Sequence, residues 1–401
     1  MMEPVRNQNR QTLFMFVVLI PIFLLFSWFL SHWFDGHKMD FGLYWQAGHM
    51  ILNGQNVYDT TQWVDVRNQY ESALHSEPTF QYPLPLAIFF TPLALFPLQS
   101  AYTAWIFLGQ VAILTSIVIL LQFYPERTGY FELLTVAGIF FFRPLFSVFN
   151  SGQILPFLIL LISLSVKLLY KGHWFAGGVC LSILSLKPSV GFPILVLVGL
   201  WLLVGKRWKA IAGMFAGGFG LLAIGMLVNH RWLFDYINIG GNSFTKYYGM
   251  HPTLWGAVGQ IVGKNSLGLA ITILSVVTVI AIQVFFFSKH KTSTDPLSAF
   301  SSLLPAAILV APYSWNYEQV LLLIPIVALS IHIASTYGMG KAALFMLGVV
   351  SLPMLLLAVA YTVHHDVWSV LTTLVVWLFS LYFFSWKTAE LTGVVSTGSP
   401  A

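Results

Sequence analysis

Long apolar runs separated by short polar segments make up most of this chain. A helix that crosses a bilayer needs roughly 20 apolar residues, with ~17 as a practical minimum. On this criterion the pattern predicts an all-α polytopic membrane protein with about twelve membrane-spanning helices. The predicted spans are residues 12–33, 100–123, 131–149, 154–170, 174–188, 190–205, 210–228, 266–288, 297–312, 319–335, 342–361 and 367–386.

Two segments do not fit a simple crossing. Residues 83–98 are apolar but contain four prolines, and residues 174–186 are short for a full span. One interpretation makes 83–98 a re-entrant segment that returns to the side from which it came. The alternative makes 83–98 a full span and leaves 174–186 without a crossing.

Charge distinguishes the two interpretations. Hydrophobic residues make up 57% and charged residues 8% of the 401 residues, which excludes a soluble globular enzyme. The net charge of +5 comes from basic residues at the ends of spans, so it indicates topology and not binding to nucleic acid. With 83–98 re-entrant and both termini cytoplasmic, the cytoplasmic side receives twelve of the nineteen basic residues and five of the fourteen acidic residues. This bias favours the first interpretation, in a multi-pass protein of the cell membrane.

The same topology divides the polar residues unequally between the two faces. We expect a single membrane domain over 1–401, with extracytoplasmic loops at 34–99 and 229–265 that carry the function. The first apolar run is too long for a cleavable signal and predicts a retained signal-anchor helix. Gly213 and Gly217 form a pair of small residues that is typical of close helix packing.

Asp40 is the first candidate for chemistry. It precedes a helical pattern over 41–52 that Asn53 and Gly54 end. Asp40 is either the N-cap of that helix or a base, and the two roles are compatible because a helix N-terminus keeps a carboxylate ionised. Asp35 is the second candidate. The spacing matches no metal motif, so we predict no cofactor and leave a divalent ion open.

Four short motifs of the chain form a pattern. The first loop contains Asp40-Phe41-x-x-Tyr44-Trp45-x-Ala47-Gly48 and, further on, Phe80-x-Tyr82-Pro83-x-Pro85. Gly152-Gln153 and Ser314-Trp315 follow later in the chain. This pattern resembles glycosyltransferase family 87, whose members are polytopic enzymes of the GT-C superfamily and are similar to mannosyltransferases that use polyprenol-phosphate mannose. The sequence departs from the family at 315–318, where many members have a histidine pair.

The resemblance implies a reaction. A GT-C enzyme transfers a sugar, here a mannose-like hexose, from a polyprenyl-phosphate donor to a lipid or glycan acceptor outside the membrane, with inversion. Asp40 matches the catalytic aspartate of the family and would act as the general base. The implied partners are therefore the donor, the acceptor and the bilayer, in the cell envelope.

A leaving phosphate needs nearby cations. Arg143 lies within an apolar span, and Lys187 ends the short span 174–186, although Arg143 could instead reach the interface or pair with backbone carbonyls. His230 and Arg231 open the second large loop, where contact with lipid headgroups is the alternative. The full set of predicted substrate-binding residues is Arg143, Gln153, Lys187, Tyr44, Tyr82, His230, Arg231, Trp315 and Asn316, with Glu318 as a minor candidate for the acceptor.

Two rival functions share this architecture. Twelve spans with both termini inside are also typical of a transporter or a flippase for lipid-linked sugars. A transporter would show pseudo-symmetric halves or charges near the middle of the bilayer, whereas here the polar residues gather toward one face. A ligase or acyltransferase with outward loops would differ only in its donor. His364-His365-Asp366 resembles a metal cluster, but a solvated loop is the preferred interpretation.

Overall fold

The structure is a computed structural model that describes residues 2–34, 40–70, 79–124, 128–240, 251–289, 295–363 and 365–394. Every regular element within these ranges is helical. The helices of the first half are α1 Met2–Trp33, α2 Asp40–Leu52, α3 Thr60–Gln69, α4 Leu84–Ala94, α5 Leu98–Leu121, α6 Gly129–Phe140, α7 Arg143–Ser151, α8 Leu155–Tyr170, α9 Trp174–Ser182 and α10 Pro188–Val204.

The second half of the chain is also built from helices. Its helices are α11 Trp208–Val228, α12 Trp232–Gly240, α13 Leu254–Ile261, α14 Ser266–Lys289, α15 Pro296–Val310, α16 Leu323–Tyr337, α17 Met339–Val363 and α18 Val370–Val394. Short 3₁₀ segments, at Ile183–Leu186, Asn316–Leu322 and Asp366–Ser369, precede α10, α16 and α18.

The prediction of an all-α polytopic membrane protein is confirmed, because each predicted span coincides with helix. Within the described ranges, six helices are long and apolar enough to cross a bilayer without a break. Helices α6 and α7 make a seventh if this bent pair is one span, and the remaining predicted spans correspond to shorter apolar helices. The count of twelve crossings therefore stays a prediction.

The predicted span 131–149 is two helices and not one. α6 ends at Phe140 and α7 begins at Arg143, with a bend of 58° between them. Pro144 occupies the first turn of α7, where its missing N–H and fixed φ favour the start of a new helix. The bend leaves Arg143 at the N-terminus of α7.

The contacts of Asp40 favour the re-entrant interpretation of 83–98. Gln153 hydrogen-bonds both Asp40 and Lys187, so these three residues lie together. If the bent pair of α6 and α7 is one crossing, a full crossing by 83–98 would separate Asp40 from Gln153 by the thickness of the bilayer. Helix α4 within this segment has 11 residues, and at 1.5 Å per residue it is only ~16 Å long, about half a hydrocarbon core.

Glycines allow the closest helix contacts. A Cβ at Gly213 would lie 2.1 Å from the carbonyl oxygen of Phe175, and one at Gly217 would lie 2.2 Å from Oγ of Ser182. Helices α9 and α11 therefore touch along their backbones, which confirms the packing expected for this glycine pair. Helix α2 approaches α4 in the same way, since a Cβ at Gly48 would lie 2.9 Å from the backbone of Phe90.

Candidate functional site

The candidate site begins at the first turn of α2. Asp40 is the first residue of this helix and is half-buried, while Phe41 and Tyr44 behind it are fully buried. A carboxylate at this position is stabilised in its ionised form by the positive end of the helix dipole. Asp40 thus presents a partly accessible carboxyl group at the N-terminus of α2. Asp35, the second candidate, lies outside the described residues.

The turn between α7 and α8 packs against this end of α2. Gly152 has φ +68°, and a Cβ there would lie 2.5 Å from Cβ of Phe41. Trp105 Nε1 donates to the carbonyl of Gly152 at 2.9 Å, and Tyr102 Oη donates to the carbonyl of Asn150 at 2.6 Å. Glycine satisfies both the left-handed backbone and the close approach, so the turn delivers the next residue, Gln153, to Asp40.

Gln153 connects the charged residues of the site. Its Nε2 donates to Oδ2 of Asp40. Its Oε1 accepts from Nζ of Lys187 at 2.8 Å and from Oη of Tyr44 at 3.1 Å. Two donors on one side and a carboxylate on the other define the orientation of the amide, because the reversed amide would face donors with its NH₂ group.

Lys187 and Glu318 form a buried ion pair. The Nζ–Oε1 distance is 3.3 Å, and the exposed fractions of the two side chains are 2% and 0%. Glu318 also accepts from Ser189 Oγ at 2.9 Å and from the backbone amide of Trp315 at 3.0 Å. Each charge is therefore compensated, as burial requires.

Aromatic rings enclose this polar group. The ring of Tyr82 lies 5.2 Å from that of Tyr44 in an edge-on arrangement, and Nζ of Lys187 lies 5.2 Å from the ring centroid of Tyr317. Burial, and then the charge of Asp40, raise the pKa of Tyr82 well above its ordinary value. Burial also raises the pKa of Tyr44, so both hydroxyls stay protonated and can donate hydrogen bonds.

Arg143 has a carboxylate partner that the sequence did not indicate. Its two terminal nitrogens each donate to an oxygen of Asp366 at 3.2 Å. Ser369 Oγ also donates to Asp366, at 2.7 Å. The side chains of Arg143 and Asp366 are 13% and 26% exposed, so the pair is partly accessible. Asp366 thus belongs to an ion pair, whereas His364 lies outside the described residues.

The remaining predicted residues occupy two places. His230 and Arg231 follow α11 with exposed side chains, and they are not among the residues that hydrogen-bond Gln153. Trp315 and Asn316 lie beside Glu318 at the start of the 3₁₀ segment Asn316–Leu322. Trp315 is 41% exposed, and its ring packs edge-on to His251 at 4.4 Å.

An apolar groove of about 400 Å³ opens beside the ion pair. It lies between α10 and α14, and Val276 and Phe192 belong to its walls. Ser189, which donates to Glu318, also lines this groove. Among the described residues, no group of three or more His, Cys, Asp or Glu side chains could hold a metal ion.

Sequence reasoning named Asp40, Gln153 and Lys187, but it gave Glu318 a minor role and placed Asp366 in a solvated loop and not in an ion pair. The sequence did contain a sign that Arg143 and Lys187 have acidic partners, because burying an unpaired cation in an apolar protein is costly. That signal does not identify the partner among acids elsewhere in the chain.

Within the described residues, the fold and the site define an all-helical polytopic membrane protein with a buried polar group around Gln153. The family model of glycosyltransferase family 87 matches residues 80–312, more than half of the chain. The chain therefore belongs to this family, which confirms the resemblance, and the protein is a membrane glycosyltransferase. No curated protein and no solved structure matches it. Asp40 and Glu318 lie outside the matched segment, whereas Gln153 and Lys187 lie within it.

Proposed function

We propose that this glycosyltransferase moves a hexose from a polyprenyl-phosphate donor to an extracytoplasmic lipid or glycan acceptor, with Asp40 as the general base. One observation carries the proposal. Asp40 is a half-buried carboxylate in the first turn of a helix, and Gln153, itself held by Lys187 and Tyr44, binds one of its oxygens. A base needs this combination of fixed position and remaining access.

The proposed chemistry is a single displacement. The acceptor hydroxyl oxygen attacks C1 of the hexose while the bond from C1 to the phosphate oxygen breaks. Asp40 takes the hydroxyl proton, and the polyprenyl phosphate leaves with the electron pair of the broken bond. Attack from the face opposite the phosphate inverts the configuration at C1. The base and the leaving group must therefore lie on opposite sides of the sugar.

The groove between α10 and α14 supports a donor with a long apolar tail. Its walls are apolar, whereas Ser189, which also lines it, bonds to Glu318. An isoprenoid chain in this groove would leave its phosphosugar at the polar group of the site. Because the tail would pass from lipid and not from water into the groove, van der Waals packing against the walls would favour its binding.

The proposed substrate-binding residues fall into three groups: basic residues in ion pairs, exposed basic residues, and residues that would contact the sugar. Arg143 and Lys187 already have carboxylate partners, so a donor phosphate would have to share them. His230 and Arg231 are exposed basic residues that a lipid phosphate can reach without breaking an ion pair. Trp315, with its exposed ring beside Glu318, is the proposed platform for a sugar face, and Asn316, Tyr82 and Tyr44 are the proposed hydrogen-bonding neighbours.

The test is an incubation of the purified protein with a panel of polyprenyl-phosphate hexoses, nucleotide hexoses and an extract of envelope lipids. Consumption of a polyprenyl-phosphate hexose, with a labelled product of inverted configuration, is the expected result. Consumption of a nucleotide hexose instead would contradict the proposed donor. Transfer of a lipid-linked sugar across vesicle membranes without any consumption would favour the flippase.

A further inference from the structure

Glu318 is held from three directions in the protein interior. Its carboxylate accepts from Ser189 on α10, from the backbone amide of Trp315 and from the ammonium of Lys187. The residue is fully buried. Three fixed donors hold the carboxylate in one orientation, and in this orientation its negative charge lies next to Lys187.

The ammonium group of Lys187 contacts two acceptor oxygens. It lies 3.3 Å from Oε1 of Glu318 and 2.8 Å from Oε1 of Gln153. A lysine chain is flexible and could otherwise rotate its ammonium away from the amide. With Glu318 in place, the ammonium stays against the carbonyl end of Gln153, whose other end donates to Asp40.

These links form one continuous path of charge-assisted hydrogen bonds. It runs from Glu318 through Lys187 and Gln153 to Asp40, and it joins four segments that are distant in the sequence. A cation at the carbonyl oxygen polarises the amide and strengthens the N–H bond at its other end. Glu318 is thus linked to Asp40 by three successive contacts.

We infer that Glu318 is a positioning residue for the base: it holds Lys187 against Gln153, and Gln153 in turn orients the carboxylate of Asp40 toward the acceptor. This inference rests on the proposed role of Asp40. It adds that the Lys187–Glu318 pair serves catalysis beyond its part in stability. A buried ion pair need not stabilise a fold more than apolar side chains of similar volume do, so a purely structural role can be separated experimentally.

The experiment compares Glu318→Gln, Glu318→Asp and the double variant Lys187→Met/Glu318→Gln in transfer and thermal unfolding assays. Glu318→Gln is expected to lower kcat ten- to hundredfold while the KM for the donor changes less than threefold. Glu318→Asp keeps the charge and is expected to recover at least part of the lost kcat. Glu132→Gln, which neutralises another buried glutamate on α6, is the matched control and should keep the kcat of the parent.

The double variant distinguishes a positioning role of Glu318 from a purely stabilising role of the Lys187–Glu318 pair. It removes both buried charges, so its melting temperature should return toward that of the parent while kcat stays low. Recovery of kcat together with melting temperature would assign the pair to stability alone and overturn the inference. A parental kcat in Glu318→Gln would overturn it as well, and if Asp40→Asn were inactive in the same assay, the proposed function would still stand.

Discussion

Gly152 is the backbone position on which the geometry of the site depends most. Its φ of +68° places it in the left-handed region, and a Cβ would lie 2.5 Å from Cβ of Phe41. Gly54 has nearly the same φ, +67°, but a Cβ there would meet nothing within 4 Å. The two glycines therefore separate the cost of the backbone conformation from the cost of the contact.

The structure gives the magnitude for Gly152→Ala. The left-handed conformation costs about 1–2 kcal/mol for a residue with a side chain. The contact with Phe41 adds about 1–3 kcal/mol of overpacking. Gly54→Ala carries only the first cost, so Gly152→Ala should be less stable than Gly54→Ala by about 1–3 kcal/mol. Because Phe41 is adjacent to Asp40, we also expect kcat to fall at least tenfold in Gly152→Ala alone.

Denaturant unfolding in detergent measures the difference in stability, and transfer of a labelled hexose, normalised to folded protein, measures kcat. Equal stability and equal kcat in the two alanine variants would refute the packing of the α7–α8 turn against α2. Loss of kcat in both variants would place the effect in the backbone conformation and not at the contact with Phe41.

Further predictions concern the groove, the helix packing and the topology. Val276→Trp, which fills the groove, should raise the KM for a long-chain donor but not for a short-chain analogue, whereas Val277→Trp on the exposed face should change neither. Gly213→Ala should lower the free energy of unfolding by about 1–3 kcal/mol, and Gly218→Ala, whose Cβ meets open space, should not lower it. In whole cells, Asn53→Cys should gain labelling by an impermeant maleimide relative to the parent chain, and absence of that gain would contradict an outward first loop.

The sequence was sufficient to predict a helical membrane protein and to place Asp40 at the start of a helix. Apolar runs of spanning length predicted the helices, because a bilayer requires backbone hydrogen bonds to be satisfied within a segment. Two of the polar residues that the charge pattern assigned to one face, Asp40 and Gln153, are in contact. The assignment of that face to the outside, and of the site to these residues, stays a prediction.

The two ion pairs could not be predicted from local sequence patterns. Arg143 and its partner Asp366 are 223 residues apart, and nothing in either local pattern identifies the other. Lys187 pairs with Glu318 through a contact between two helix ends whose approach depends on the packing of the whole bundle. The bend between α6 and α7 was also missed, although Pro144 marked the start of the second helix.

The most direct test of the central claim compares Asp40→Asn with Asp59→Asn. Both residues lie in the first loop, but Asp59 caps α3 by accepting from the amide of Gln62 at 2.9 Å, a role that asparagine fills equally well. Asp40→Asn should lower kcat for hexose transfer about 10²- to 10⁴-fold while donor binding is unchanged, and Asp59→Asn should keep the activity of the parent. Parental activity in Asp40→Asn would contradict the assignment of Asp40 as the base.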